Sequence, residues 1–237
     1  MNITFVSGAN SKYYNFLKGL IINVKRIQRR ECIKNFKFVI YDLGLNEEEK
    51  EYLKKDKFII YELFDYSKYP EHVSLEKYNG INCSYAWKPI IFHKVCEKYN
   101  GIVQWLDTMT VYYNFTNVIN LVKENGIYTP ISSDTIKKWT HKNCIEFMKA
   151  NKYLELSPRA GGILTINYDL FWCKKLIDEW KDLSLIKECI IPEGSNRKNH
   201  RQDQSILSIL FYKYIEEYKF ENHPENISLK AHLRMSK

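Results

Sequence analysis

The sequence predicts one α/β domain in which a mostly parallel central sheet is flanked by helices. Along the first half of the chain, short apolar segments alternate with amphipathic ones, which is typical of successive strand–helix–strand units. No Gly-, Ser- or Pro-rich linker, composition shift or internal repeat divides the 237 residues, so we expect a single domain over 1–237. The content of 45% hydrophobic and 15% aromatic residues supplies one sizeable core and excludes a disordered chain.

The expected strands are short apolar runs bounded by turn residues. They are Ile3 to Ser7, Phe36 to Tyr41, Phe58 to Phe64, Gly101 to Leu106, Gly126 to Ile131 and Gly162 to Asn167. The run that ends at Leu106 is apolar apart from Gln104, which is typical of a buried central strand. The second half of the chain alternates less regularly, and we expect a less regular arrangement there.

Helices are predicted from apolar periodicity and from residues that favour helix starts. The first helix has apolar residues along one face, namely Phe16, Leu17, Leu20, Ile21 and Val24. Asn46 is expected to cap an acidic helix start, and Pro89 suits the first turn of a third helix. Asp203 opens a strongly apolar final helix, QSILSILFYKYIEEY.

The carboxyl ends of the strands are the expected ligand site, because parallel α/β sheets bind ligands beyond these ends. Polar or small residues stand there at Ser7 to Asn10, at Asp42 and at Asp107. Asp107 follows the most apolar strand, where a rigidly held carboxylate could bind a divalent cation together with a substrate's phosphate oxygens. From its position alone, an aspartate that only caps a turn explains Asp107 equally well.

The segment Trp105-Leu106-Asp107, after an apolar strand, resembles the DxD region of GT-A glycosyltransferases. The blocks WKP, WLDT, AGGIL, CIIPEGS and HRQDQSILSIL lie in this order between Phe36 and Phe211, and they are similar to those of a poorly characterised animal family, of the domain-of-unknown-function type, assigned to GT-A-like enzymes. The resemblance implies a GT-A fold. It also implies transfer of a hexosyl group from a nucleoside-diphosphate sugar, with UDP favoured, to a glycan, protein or small-molecule acceptor.

The resemblance assigns roles to particular residues. Asp107 would contact the donor or a metal ion, and Asp203 would act in catalysis or in positioning the acceptor. From the residues alone, capping of the last helix explains Asp203 better than catalysis does. The other candidates for substrate binding are Ser7, Gly8, Asn10, Lys88, Gly161, Gly162, His200, Arg201 and Gln204.

A metal ion is implied by the DxD resemblance, but the motif is incomplete. A full motif has a second acid two residues after Asp107, where this sequence has Met109. Binding of Mn²⁺ or Mg²⁺ would then need another ligand, for which His232 is the candidate. The alternative is a metal-free site in which Lys or Arg neutralises the phosphates.

Two other classes of protein compete with an active transferase. A catalytically inactive GT-A-like scaffold would explain the missing second acid, although the presence of both Asp107 and Asp203 argues against it. The formal charge of +8 and the basic stretches Lys25 to Arg30 and Arg197 to Arg201 would suit a nucleic-acid-binding module. No recognised nucleic-acid-binding motif accompanies them, so we expect no nucleic-acid partner.

The sequence also bears on location. The N-terminus lacks a basic region followed by an apolar one, and the longest apolar stretches are too short to cross a bilayer. The six cysteines are scattered without metal-like spacing, as expected for reduced thiols. We therefore expect a cytoplasmic protein, in the host cytoplasm if it is viral. A composition rich in Asn, Lys, Ile and Tyr indicates an AT-rich genome, viral or protist.

Overall fold

The computed structural model contains a six-stranded mixed sheet with helices on both faces, and a two-stranded sheet beside it. The structure describes residues 2–75 and 84–218, together with the backbone of 232–234. The described strands are β1 Ile3–Ala9, β2 Phe36–Asp42, β3 Ile60–Leu63, β4 Ile102–Leu106, β5 Thr110–Tyr112, β6 Ile127–Tyr128, β7 Ile163–Asn167 and β8 His232–Arg234. The described α-helices are α1 Tyr14–Arg30, α2 Glu47–Lys55, α3 Trp87–Tyr99, α4 Phe115–Asn125, α5 Ile136–Trp139, α6 Lys142–Phe147, α7 Phe171–Leu185, α8 Lys187–Ile190 and α9 Asp203–Glu217.

The large sheet has the strand order β3-β2-β1-β4-β7-β6. Its first four strands are parallel, whereas β7 runs antiparallel to both β4 and β6. In the β4–β7 pair, Leu106 lies opposite Ile163. This pairing brings the start of β7 beside the end of β4, which is the edge where the sheet is expected to bind ligands.

Side chains of the central strands alternate between two cores, as the period of two in a strand requires. Phe5 and Phe38 pack on one side with the apolar faces of α1 and α4. Val6 and Val39 point to the other side, where α3, α7 and α9 cover the sheet. Both faces are therefore buried, which explains why apolar residues of β1 and β2 point to both sides of the sheet rather than to one.

The predicted α/β architecture, with a mostly parallel sheet flanked by helices, is confirmed. The cap at Asn46 is also confirmed, because its Oδ1 accepts from the backbone N–H of Glu49 at 2.9 Å while the Glu49 carboxylate accepts from the Asn46 N–H at 3.0 Å. The strand predicted from Gly126 to Ile131 is only two residues long. It begins after Gly126, which ends α4 with φ +76°, and Pro130 has no N–H to donate to a ladder.

Two further features follow from the described part of the chain. None of its helices has both the length and the hydropathy of a membrane-spanning segment. The described cysteines, Cys32, Cys96, Cys144, Cys173 and Cys189, all carry free thiols, as the scattered spacing predicted.

Candidate active site

Lys88 joins three elements at the carboxyl end of the sheet. It lies in the first turn of α3, and its side chain is only 6% exposed. Its Nζ lies 3.0 Å from Oδ1 of Asp107 and 3.4 Å from Oδ2 of Asp203, and it donates to the carbonyl oxygen of Gly161 at 3.1 Å. One buried ammonium group therefore connects the end of β4, the start of β7 and the start of α9.

The carboxylate of Asp107 is held in one orientation. Its Oδ1 accepts from the indole Nε1–H of Trp105 at 2.7 Å as well as facing Lys88. Trp105 and Asp107 are two residues apart, so their side chains lie on the same side of the strand. The other oxygen, Oδ2, has no hydrogen-bond partner among the described residues, and the side chain is 39% exposed. Asp107 therefore has one carboxylate oxygen without a partner among the described residues, on a partly exposed side chain.

The glycine pair Gly161-Gly162 lies against both carboxylates. The backbone N–H of Asp107 donates to the carbonyl of Gly162 at 2.9 Å, which extends the β4–β7 ladder by one bond. A Cβ on Gly162 would lie 3.0 Å from Oδ2 of Asp107, and a Cβ on Gly161 would lie 3.1 Å from Oδ2 of Asp203. The absence of side chains here lets the backbone of the glycine pair approach both carboxylates closely.

Asp203 is the most deeply buried acid of the site. It is 4% exposed and occupies the first position of α9, where its backbone carbonyl accepts from the indole of Trp180 at 2.9 Å. Its Oδ2 forms an ion pair with Lys88 but has no hydrogen bond within the described residues. The preceding residue, Gln202, has φ +52°, a backbone conformation that is costly for any residue with a Cβ. The structure thus holds Asp203 in place at the expense of local strain.

In the cluster of Asp107, Lys88 and Asp203, two carboxylates share one ammonium group, and this arrangement contributes to the pKa values of Lys88 and Asp203. Burial raises the pKa of the Asp203 carboxyl to about 6; the Lys88 ammonium lowers it and the Asp107 carboxylate raises it. Burial alone would lower the pKa of Lys88, but Asp107 and Asp203 outweigh burial, and the pKa of Lys88 lies above its ordinary value. Lys88 is therefore charged at neutral pH, and the cluster is short of positive charge once both acids are ionised.

The residues predicted at the end of β1 divide into packing residues and one open position. Ser7 is fully buried and donates its hydroxyl to the carbonyl of Leu106 at 2.7 Å, which joins β1 to β4. A Cβ on Gly8 would lie 3.1 Å from the side chain of Leu43. Asn10 differs, because its buried Oδ1 has no hydrogen-bond partner among the described residues. Of the three, Asn10 has an acceptor to offer a ligand, and substrate contacts by Ser7 and Gly8 stay predictions.

His200 supports the loop that leads to Asp203. The imidazole is 1% exposed; Nδ1 accepts from the backbone N–H of His141 at 3.2 Å, so Nε2 donates to the carbonyl of Ile190 at 3.0 Å. Burial lowers the pKa of His200 to about 4, which keeps the ring neutral at neutral pH. Both ring nitrogens are occupied, so the geometry gives His200 a supporting position, and its predicted contact with substrate stays untested.

The remaining predicted residues of this loop lie around the cluster. Gln204 packs against Gly161, and its Cβ is 3.2 Å from the position that a Cβ on that glycine would occupy. Arg201 is half-buried, and its guanidinium lies 4.0 Å from the ring centroid of Trp139. The backbone N–H of Arg201 also donates to the Trp139 carbonyl at 3.0 Å. Arg201 therefore connects α5 to the start of α9.

The described side chains supply little to bind a divalent cation by themselves. Among the residues that the structure describes, no group of three His, Cys, Asp or Glu side chains is close enough to hold a metal ion. Met109 is 8% exposed, and its thioether is a poor ligand for Mg²⁺ or Mn²⁺. The side chain of His232 lies outside the described residues; its backbone pairs with Tyr112, shortly after Asp107. Within the described part of the site, Oδ2 of Asp107 is an oxygen that could bind a cation, but the described side chains do not complete a metal site.

Two aromatic residues of the site were assigned no functional role from the sequence. Trp105 orients Asp107 through its indole N–H, and the spacing of two residues along a strand is the sequence signal for this contact. Tyr85 lies three residues before Lys88 and has φ +56°, which is an outlier for a bulky residue. Its ring centroid is 5.8 Å from the Lys88 ammonium. No local pattern marks a residue of this kind.

Comparison with known proteins supports the fold. A family model described as a protein of unknown function (DUF1647) matches residues 1–93, which include WKP but not the later blocks. No curated protein matches the sequence. The similar solved structures include the galactosyltransferase LgtC in complex with donor and acceptor sugar analogs, with 12% identity, a TM-score of 0.58, and coverage of 99% of this chain and 87% of that one.

Two other solved structures give the same result. The bifunctional glycosyltransferase WbbM has 13% identity and a TM-score of 0.56 over 90% of this chain and 38% of that one. The mannosyltransferase Ktr4p from S. cerevisiae has 10% identity and a TM-score of 0.53 over 88% of this chain and 65% of that one. At these identities the likeness shows the fold alone. The chain has the GT-A glycosyltransferase fold, as the sequence blocks implied.

Proposed function

We propose that this protein is a glycosyltransferase that moves a sugar from a nucleoside-diphosphate sugar, UDP-linked in our favoured version, to a glycan, protein or small-molecule acceptor. The observation that carries the proposal is the buried Asp107–Lys88–Asp203 cluster beside Gly161-Gly162. It lies at the carboxyl end of β4 in a GT-A fold. The similar structures named above are a galactosyltransferase, a bifunctional glycosyltransferase and a mannosyltransferase, which supports transfer of a hexosyl group.

The charge of the cluster suits this chemistry. When the bond between the anomeric carbon and the diphosphate breaks, the electron pair leaves with the phosphate oxygen and the sugar becomes electron-poor. A cluster of two carboxylates and one ammonium group favours such a positive centre, and preorganised charges are the main source of stabilisation in buried sites. Asp203, with its pKa at about 6, can also accept the proton that the acceptor hydroxyl loses.

The donor would lie along the edge formed by β1 and β4. In this arrangement the unpaired Oδ1 of Asn10 would bond to the nucleoside, and Oδ2 of Asp107 would bind the donor's ribose or a divalent cation. Such a cation would supply Lewis-acid stabilisation of the leaving diphosphate. Within this proposal, Asp107 and His232 are the residues that would bind Mn²⁺ or Mg²⁺.

Nucleotide binding is the first test. We expect one of UDP, GDP or CMP, or a sugar derivative of it, to raise the melting temperature of the wild-type protein. Asp107→Ala should raise the Kd for that ligand by about tenfold, because a polar contact to a charged ligand is lost. Thermal-shift and calorimetric titrations with and without Mn²⁺ measure this. Asp182→Ala, which removes an exposed carboxylate, is the matched control and should behave as wild type.

Two results would contradict the proposal. If DNA or RNA oligomers stabilise the protein and no nucleotide or nucleotide sugar does, the basic-surface alternative is correct. If a nucleotide sugar binds but its nucleotide is never released, either to water or to an added acceptor mixture, the protein is an inactive scaffold. Release of nucleotide from a panel of nucleotide sugars therefore accompanies the binding series.

Gly162→Ala tests the free oxygen of Asp107. The added Cβ would meet Oδ2 of Asp107 at 3.0 Å and its Cγ at 3.4 Å, in a pair of strands that cannot separate easily. We expect nucleotide affinity or turnover to fall by about tenfold, with a small loss of stability of about 1 kcal/mol. Calorimetry measures the affinity, nucleotide release measures the turnover, and the melting temperature reports the stability. Gly19→Ala, at a helical glycine with open space around it, is the control; unchanged binding in Gly162→Ala would place the ligand elsewhere.

A further inference from the structure

The loop between α8 and α9 places an exposed arginine against Tyr85, whose ring also lies near the buried Lys88. Arg197 is exposed, its Cζ lies 5.6 Å from the ring centroid of Tyr85, and its guanidinium donates to the Tyr85 hydroxyl at 3.3 Å. The Lys88 ammonium lies 5.8 Å from the centroid of the same ring. Tyr85 thus holds one cation at the surface and contacts a second one that is buried in the cluster.

Arg197 and Lys88 differ in the carboxylates that lie near their positive charges. Lys88 faces two carboxylates, at 3.0 and 3.4 Å. Arg197, in contrast, has no carboxylate within 4.0 Å among the residues that the structure describes. A new anion near the cluster would therefore gain little from Lys88, whose charge is already balanced, and more from Arg197.

A leaving diphosphate needs such a cation. The cluster carries two acids and one ammonium group, and the position of a second DxD acid is taken by the buried Met109. The cluster by itself would repel a diphosphate, which gains negative charge as the sugar departs. Arginine suits the task because its guanidinium stays protonated and its N–H groups match two phosphate oxygens at once.

We propose that Arg197 binds the outer phosphate of the donor, the one that carries the sugar, and stabilises it as the leaving group. The proposal rests on the proposed glycosyl transfer. In that step the bond between the anomeric carbon and the phosphate oxygen breaks and the electron pair stays on this oxygen. The acceptor oxygen forms the new bond to the anomeric carbon as its proton passes to Asp203. Arg197 donates hydrogen bonds throughout and transfers no proton. The outer phosphate is assigned because Arg197 and Lys88 both lie near the Tyr85 ring, whereas Asn10 follows the end of β1.

The test is a ligand series that adds one phosphate at a time. Calorimetric Kd values are measured for the nucleoside, its monophosphate and its diphosphate, with the base that wild type selects, on wild type, Arg197→Ala, Arg197→Lys and Lys198→Ala. We expect Arg197→Ala to weaken diphosphate binding by about tenfold or more and nucleoside and monophosphate binding by less than about twofold. Arg197→Lys should recover part of the loss, because it keeps the charge but not the planar fork.

Lys198→Ala is the matched control, because it removes the same charge from an exposed neighbour in the same loop. It should bind all three ligands as wild type does. Equal weakening of all three ligands in Arg197→Ala, or an unchanged diphosphate Kd, overturns the assignment. If wild type binds none of the ligands, the proposed function itself fails, and this outcome is recognised before any variant is compared. Melting temperatures of all variants confirm that each is folded.

Discussion

Asp203→Asn is expected to lower turnover by about two to four orders of magnitude, which is the usual contribution of a positioned acid or base. The amide keeps the size of the side chain and its place at the start of α9, but it removes the negative charge that the proposed function places beside the reacting sugar. It also removes the group that can accept the proton of the acceptor hydroxyl. Release of nucleotide from the nucleotide sugar, measured under saturating donor, gives the change in kcat.

The same substitution should not destabilise the protein. The pKa of Asp203 is raised to about 6 in the folded state from its ordinary value of 3.8, mainly by burial, so the folded state binds a proton more readily than the unfolded state. The stability associated with this group is present at low pH and is lost as the pH rises through about 6. At neutral pH the wild type therefore bears the cost of an ionised buried acid. Asp203→Asn removes this cost, and its melting temperature should equal or exceed that of wild type.

The pH dependence of kcat/KM tests the protonation state of Asp203 independently. If the carboxylate of Asp203 is the active form, kcat/KM should rise with pH through about 6 and level off above it. The residual activity of Asp203→Asn should lack this rise. Asp182→Asn, at an exposed carboxylate, is the control and should keep both the rate and the profile of wild type. Wild-type turnover in Asp203→Asn would exclude Asp203 from the chemistry.

Lys88→Met is expected to cost about 3 to 5 kcal/mol of stability, because it leaves a buried carboxylate without its cation. Asp203 is 6% exposed at its side chain, and Lys88 is the cation that lies 3.4 Å from it. In a domain of this size, such a loss lowers the melting temperature by roughly 10 °C. Chemical denaturation measures the free energy of unfolding, and nucleotide binding measures whether the site survives.

The control and the rescue for Lys88→Met come from the same chain. Lys98→Met removes an ammonium group from the same helix, where it pairs with Glu62 at 2.6 Å but is 57% exposed, so it should cost less than about 1 kcal/mol. Lys88→Met combined with Asp203→Asn should recover much of the lost stability, because the unpaired charge is gone. A loss in Lys88→Met no larger than in Lys98→Met would mean that water already compensates the two carboxylates.

Several parts of the site were predictable because they depend on local sequence. Asp107 was placed at the end of a buried strand and Asp203 at the start of a helix, and both positions are confirmed. The glycine pair before β7 was also identified from the sequence. Strand ends and helix starts are marked by the apolar period and by capping residues, which act over a few residues.

Other parts depended on contacts between segments that are far apart in sequence. The sequence named Lys88 and His200 as candidates for substrate binding, which stays a prediction, but it did not show their partners in the fold. Lys88 forms ion pairs with two carboxylates, and the two ring nitrogens of His200 bond to two separate loops. Arg197 appeared only as part of a basic stretch, and its place on Tyr85 depends on how the α8–α9 loop folds back over α3.

The sequence alone determined the α/β architecture, its strand–helix alternation, and the positions of Asp107 after a strand and Asp203 at a helix start, because hydrophobic period and capping are local properties. The tertiary structure decided that β7 runs antiparallel to β4, and that Gly161-Gly162 therefore lies beside Asp107. The tertiary structure also decided that Lys88 forms ion pairs with both Asp107 and Asp203. Which side chains meet at a sheet edge depends on strand order and helix docking, which are set by the burial of both faces of the sheet and not by any single segment.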